Sequence, residues 1–186
     1  MPLPPPYRVK RLDQLKALRS LERRRVIQAL SELGPSSVRD VAEHLDRVPE
    51  SLYYHVATLE EVGLVVRRGS RPTRSRSQAL YELVGLPSID PAQRSPAFLE
   101  ALDELCASSL RAATRHLSRS LDEERGRSGP RTHQGVVQTT ARLSGTDRKE
   151  LRRRMAELVD WVAERHDPRQ AHGTLVTLAQ STCEDG

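Results

Sequence analysis

Cysteine is nearly missing from this chain. Cys106 and Cys183 are the only two among 186 residues, and they stand far apart. That excludes a disulfide-framed fold. Neither has a metal-ligand neighbour at a familiar spacing, so no metal site is expected. Cys106 reads as a small residue on an apolar helix face. Long apolar runs are missing too. No stretch approaches the roughly 18 residues needed to cross a bilayer. The start, Met-Pro-Leu-Pro-Pro-Pro-Tyr, has no apolar signal core. A cytoplasmic protein with no membrane partner is expected, with residues 1–10 as a Pro-rich, extended or disordered lead. The signatures of catalysis are absent as well. There is no phosphate-cradling Gly loop, no Gly-x-Ser-x-Gly elbow, no His-Glu-x-x-His and no Cys-x-x-Cys. His116, His133, His166 and His172 are scattered, with no carboxylate in register. Neither an enzyme nor a cofactor is expected.

What is present is charge, unevenly placed. Charged residues make up 30% of the chain, and the net charge is +5. From Met1 to Leu86 there are fifteen Lys and Arg against ten acids, and from Pro87 to Gly186 fifteen against fifteen. The whole excess lies in the first half. This points to a polyanion-binding half joined to a neutral half.

The apolar pattern of that first half is helical. Leu12, Leu15 and Leu18 mark a short helix. Ser20 caps a second, with Leu21, Val26, Ile27, Leu30 and Leu33 as its buried residues, and Gly34-Pro35 stops it. Ser37 caps a third, with Asp40 placed for a capping box and Val38, Val41, Ala42 and Leu45 facing inward. Asp46-Arg47-Val48 is a turn, and Pro49 suits the first position of a fourth helix over 49–62. Leu52, Val56, Leu59 and Val62 form its buried stripe, and Gly63 ends it. Leu64 to Arg68 and Gln78 to Val84 read as strands around a polar loop, Gly69 to Ser77. Residues 87–94 read as a linker. A long helix follows, with apolar stripes through Phe98, Leu102 and Leu105 and through Leu99, Cys106, Leu110 and Leu117. Asp122 to Arg131 reads as a charged loop, and His133 to Leu143 as a strand. Thr146 or Asp147 caps a helix carrying Leu151, Met155, Leu158 and Val162, and Thr174 to Ala179 reads as a closing strand.

Two helices around a short turn, then a basic hairpin, suit duplex DNA. In the fourth helix Leu52, Val56 and Leu59 fix it to the domain, leaving Glu50, Ser51, Tyr53, Tyr54 and Ala57 on or near the outer face. Ser bonds to base or phosphate; Tyr donates to phosphate or lies against a thymine methyl. The first turns of such a helix carry the base contacts. His55 points toward the preceding helix by spacing. Behind it, Arg67, Arg68, Arg71, Arg74 and Arg76 fall within ten residues with no acid among them, in a wing over 67–78. Each neutralised phosphate releases counterions, and a narrow minor groove attracts inserted Arg. Arg23, Arg24 and Arg25 form a further cluster that could reach phosphate or pair with nearby acids.

The segment from Leu15 to Val84 resembles the winged helix-turn-helix of ArsR-like transcriptional regulators. Leu52-Tyr53-Tyr54-His55-Val56 and Leu59-Glu60-Glu61-Val62-Gly63-Leu64-Val65 carry the likeness, supported by the helices from Val38 to Leu45 and Arg24 to Leu30. The resemblance implies a homodimer that sets two recognition helices in successive major grooves of double-stranded DNA. It also implies frequent control by a metal or a small-molecule effector. Metal-sensing members carry Cys pairs before the recognition helix, or His and Asp ligands on a C-terminal helix. This chain has no Cys before Cys106, and its third helix offers only Asp40, Glu43 and His44. Metal sensing is not expected. The second half looks like the accessory region of some such regulators, where a long helix makes the dimer beside a strand-helix-strand piece. The expected fold is mainly α with a small β part. A winged helix-turn-helix domain over 11–86 precedes a dimerisation and effector region over 95–182. Phe98, Met155 and Trp161 are candidates for an effector pocket, or plain core. The competing function is a winged-helix protein-interaction module with no specific DNA site.

Overall fold

A computed structural model of the chain describes residues 4–72, 77–90, 92–125 and 141–165. In order these form β1 (Pro6–Val9), α1 (Leu12–Leu18), α2 (Leu21–Leu33), α3 (Val38–His44), α4 (Glu50–Glu61), β2 (Val65–Pro72), β3 (Ser77–Leu83), β4 (Leu86–Ile89), α5 (Pro96–Arg125) and α6 (Gly145–Glu164). The chain divides into two compact units, Met1–Ala112 and Ala113–Gly186.

In the first unit, local chemistry sets each helix. The Ser20 hydroxyl accepts from the Arg23 N–H at 3.4 Å and starts α2. Ser37 and Asp40 form the expected capping box at α3. The turn after α3 places Asp46 at φ 52, a left-handed conformation that Asp tolerates. Pro49 takes the N-cap position of α4 and not the first helical position expected of it, which falls to Glu50. At the other end of α4, Gly63 adopts φ 70. The Leu64 N–H then donates back to the Leu59 carbonyl at 2.9 Å, satisfying an otherwise orphaned helix-end acceptor. The apolar stripes of these helices converge. Leu15, Val26, Leu30, Val41, Leu52, Val56 and Leu59 are buried together with Leu64, Val65 and Leu83 from the hairpin strands.

β2 and β3 pair antiparallel, with a register shift between Arg67 and Gly69. Arg68 is the extra residue of this bulge, and Gly69 takes φ 132, which a side chain resists. The pairing continues to Pro72 and Ser77, so Gly69–Pro72 and Ser77 of the expected polar loop are ladder; residues 73–76 lie outside the described residues. Pro72 ends its strand, where a missing N–H costs no inner ladder bond. Ser36, just before α3, exchanges two backbone hydrogen bonds with Tyr81, at 2.9 and 2.8 Å. Three helices and a hairpin anchored to them in this way are a winged helix-turn-helix.

Two regions differ from expectation. The lead is ordered strand from Pro6 to Val9, and the linker is strand from Leu86 to Ile89; the two pair in parallel. The Leu86 N–H donates to the Pro5 carbonyl at 2.8 Å, and Val9 is fully buried. Prolines lack a donor but still offer carbonyls, so a Pro-rich lead can serve as an edge. Nor do the units divide at residues 87–94. The first half of α5 belongs to the first unit, and Phe98 and Ala101 join its core.

The second unit contains the end of α5, which runs to Arg125, past the expected stop at Asp122. It also contains α6. Ser144 caps α6: its hydroxyl accepts from the Asp147 N–H at 3.1 Å and donates to the Asp147 carboxylate at 2.6 Å. Thr146 and Asp147, expected as caps, sit inside the first turn. Residues 141–144 belong to no strand. The rest of the strand expected over His133–Leu143, and that over Thr174–Ala179, lie outside the described residues.

Candidate nucleic-acid interface

The two faces of α4 differ sharply. Leu52, Val56 and Leu59 are at most 2% exposed and hold the helix against α1, α2, α3 and β2. On the other face Tyr53 is 57% and Tyr54 71% exposed. These values remove both rings from the core. Glu50, Ser51 and Ala57 are exposed beside them. The Ser51 hydroxyl donates to the Val48 carbonyl at 2.7 Å, which leaves its oxygen lone pairs as acceptors for an outside donor. His55 is half-buried with its Nδ1 atom buried, and the Tyr54 ring meets its edge at 5.7 Å between centroids. This agrees with a structural role for His55.

The wing is less free than its arginine count suggests. Arg67 is exposed. Arg68, the bulge residue, makes an ion pair with Glu82 across the hairpin. One terminal nitrogen of Arg71, Nη2, donates to both carboxylate oxygens of Asp40, each at 2.8 Å. Burial alone would raise the Asp40 carboxyl. The Ser37 N–H and the Arg71 guanidinium outweigh it and hold the group below the ordinary carboxylate range. Arg74 and Arg76 lie outside the described residues.

The cluster Arg23–Arg25 is used internally. Arg23 donates to the Ala17 carbonyl at 2.6 Å. Arg24 donates to the Leu18 and Arg19 carbonyls and to the Ser108 hydroxyl. Both therefore close the end of α1. Arg25 pairs with Glu22 at 2.5 Å.

One exposed side chain at this surface escaped the sequence reading. Val48, immediately before α4, is 64% exposed. An apolar residue in the turn that leads into α4 is the available signal. It offers a methyl surface of the kind that meets thymine.

Phe98 is buried in the first unit's core, whereas Trp161 in the second unit is exposed, with the Arg165 guanidinium 4.5 Å above its ring. Cys106, expected within an apolar face, is exposed. His44 pairs with Glu32 at 2.9 Å. Among the described residues no three His, Cys, Asp or Glu side chains are grouped to hold a metal ion. No helix among them is long and apolar enough to cross a membrane.

Comparison with known proteins matches the winged segment first. The HVO_A0114 family model matches residues 18–79. No curated protein matches the chain. Similar solved structures include the MarR family transcription regulator SP03579, at 13% identity and a TM-score of 0.33, covering 82% of this chain and 79% of that one. RV1404 from Mycobacterium tuberculosis is similar at 15% identity and a TM-score of 0.32, covering 85% and 86%. The Mycobacterium tuberculosis MarR family protein RV2887, in complex with p-aminosalicylic acid, is similar at 18% identity and a TM-score of 0.26, covering 79% and 87%. At such values the winged helix stands on its own geometry, in the packing of α2, α3 and α4 and the hairpin bridged to Ser36.

Proposed function

We propose that the protein is a sequence-specific, DNA-binding transcriptional regulator that acts in the cytoplasm as a homodimer. The observation that carries this reading is the two-faced α4. Its apolar stripe is buried, while Tyr53, Tyr54, Ser51 and Glu50 are exposed, and a basic hairpin follows in the chain. In this reading α4 enters the major groove and its first two turns meet base edges. Glu50 suits a cytosine amino group, and the tyrosines suit phosphate or thymine methyls. Arg67, with Arg74 and Arg76, meets the backbone or the adjacent minor groove. The ArsR-like affinity is part of the proposal and rests on the motif from Leu52 to Val65. Dimerisation is supported by α5, where Leu99, Leu110 and Leu121 are exposed at steps of eleven residues and so share a face.

One observation favours a second reading. Of the wing arginines among the described residues, Arg68 and Arg71 already have acidic partners. A winged helix with little free charge can serve as a protein-binding module instead. Selection of bound fragments from genomic DNA separates the two. A regulator enriches a shared site, and Tyr54→Ala blurs that preference. A protein-binding module returns no common sequence.

A further inference from the structure

We infer that Arg71 is a wing-positioning residue, clamped by Asp40, and that it does not serve as a phosphate ligand. This rests on the DNA-binding reading above and sharpens it.

The acceptor is in place before the guanidinium arrives. Asp40 Oδ2 receives the Ser37 backbone N–H and the Ser37 hydroxyl, both at 2.9 Å, and the Asp40 N–H donates to Ser37 Oγ at 3.2 Å. The carboxylate is thus fixed by the start of α3, whatever the hairpin does. Arg71, 31 residues away, then donates to both oxygens from one terminal nitrogen, Nη2. Two short charge-assisted contacts from one nitrogen hold the tip of the side chain against that fixed carboxylate.

The second attachment lies lower on the hairpin. Ser36 pairs with Tyr81, whose ladder partner is Arg67. Arg71 is four residues farther out along β2, roughly 13 Å at the usual rise per residue. Two attachments so spaced, both to the segment that begins α3, resist rotation of the hairpin about its base. α3 also packs on α4. The clamp therefore sets the angle between wing and recognition helix. Releasing Arg71 to a phosphate would leave the Asp40 carboxylate facing the same polyanion, which disfavours the exchange.

The test uses the full chain and the variants Asp40→Asn, Arg71→Ala, Arg71→Lys and the Asp40→Asn/Arg71→Ala double. Asn at 40 retains an acceptor for the Ser37 N–H, so the cap survives. Amide hydrogen exchange at Ser36 and Tyr81 reads wing attachment without DNA. Titration of a selected duplex over a salt series reads binding. Asp40→Asn and Arg71→Ala should each speed exchange by up to about fivefold, and the double should add nothing to Arg71→Ala. Lys at 71 should retain part of the attachment that Ala loses, because one nitrogen makes both contacts and an ammonium can take its place. Asp40→Asn, Arg71→Ala and the double should weaken duplex binding by a similar factor and leave the salt slope unchanged. The inference is overturned if Arg71→Ala lowers the slope by about 1 while Asp40→Asn tightens binding, since Arg71 would then be a phosphate ligand that Asp40 competes for. Additive exchange effects in the double variant would also overturn it. Absence of duplex binding by the unaltered chain would instead remove the DNA reading, with the exchange data still deciding the clamp.

Discussion

Gln14 and Val62, 48 residues apart, are joined by a buried hydrogen bond: the Gln14 side-chain amide donates to the Val62 carbonyl at 3.0 Å. Gln14 is 2% exposed, and the same nitrogen donates to the Tyr7 hydroxyl at 2.9 Å. Val62 is the C-cap of α4, where carbonyls lack intrahelical donors. One side chain thus fixes the end of the proposed recognition helix to α1 and to the β1–β4 pair. Replacing it by an isosteric apolar residue should show how much that joint matters. Gln14→Leu strands the Val62 carbonyl and should cost about 1–3 kcal/mol in urea unfolding. An unchanged midpoint would mean that the carbonyl finds another donor.

The capping box gives a second stability prediction. Ser37→Ala removes the acceptor for the Asp40 N–H and the hydroxyl that braces the carboxylate. The expected loss is about 1 kcal/mol. Thermal unfolding at neutral pH measures it, and a loss within a few tenths would show that α3 is held by packing alone.

The two faces of α4 should separate stability from recognition. Leu59→Ala opens a cavity at a fully buried position and should cost about 2–5 kcal/mol. Tyr54→Ala alters an exposed face and should stay within about 0.5 kcal/mol in stability. It should nevertheless lose about 1–3 kcal/mol of discrimination between a selected site and random duplex. Paired unfolding and binding titrations check both. A Tyr54→Ala protein that is unstable, yet discriminates normally, would place the reading surface elsewhere.

Asp40 gives a pH dependence with a definite sign. Its folded carboxyl lies below its ordinary value, despite burial, because of Ser37 and Arg71. Such a group adds stability above its unfolded pKa, near 3.9, and that share is lost as pH falls through the depressed folded value. Acid unfolding of Asp40→Asn should therefore be less steep below the ordinary carboxylate range. Identical acid limbs for the two proteins would contradict the ion pair.

Much of the helix-turn-helix was legible in the sequence because its signals are local. Ser37 and Asp40 are three residues apart, Gly63 follows the last apolar position of α4, and Leu52, Val56 and Leu59 repeat at helical spacing. What escaped depends on distant partners. Pro6–Val9 looks like a free lead until Leu86–Ile89 is set beside it. Arg71 counts as an available cation until Asp40 pairs with it. A tally of arginines treats every charge as solvated, and pairing across the fold is invisible to it. For Val48, a turn between helices gives no periodicity to place the side chain. At α6 three capping residue types fall within four positions, and only the geometry selects Ser144 over Thr146 or Asp147.

The salt dependence of duplex binding by the full chain tests the central claim most directly. Affinity for a selected duplex, measured from low to moderate salt, should fall linearly on logarithmic axes as phosphate counterions are released. Arg67→Ala should lower the slope by about 1. A flat dependence, or no duplex binding at low salt, would contradict a regulator that reads DNA through α4 and its wing.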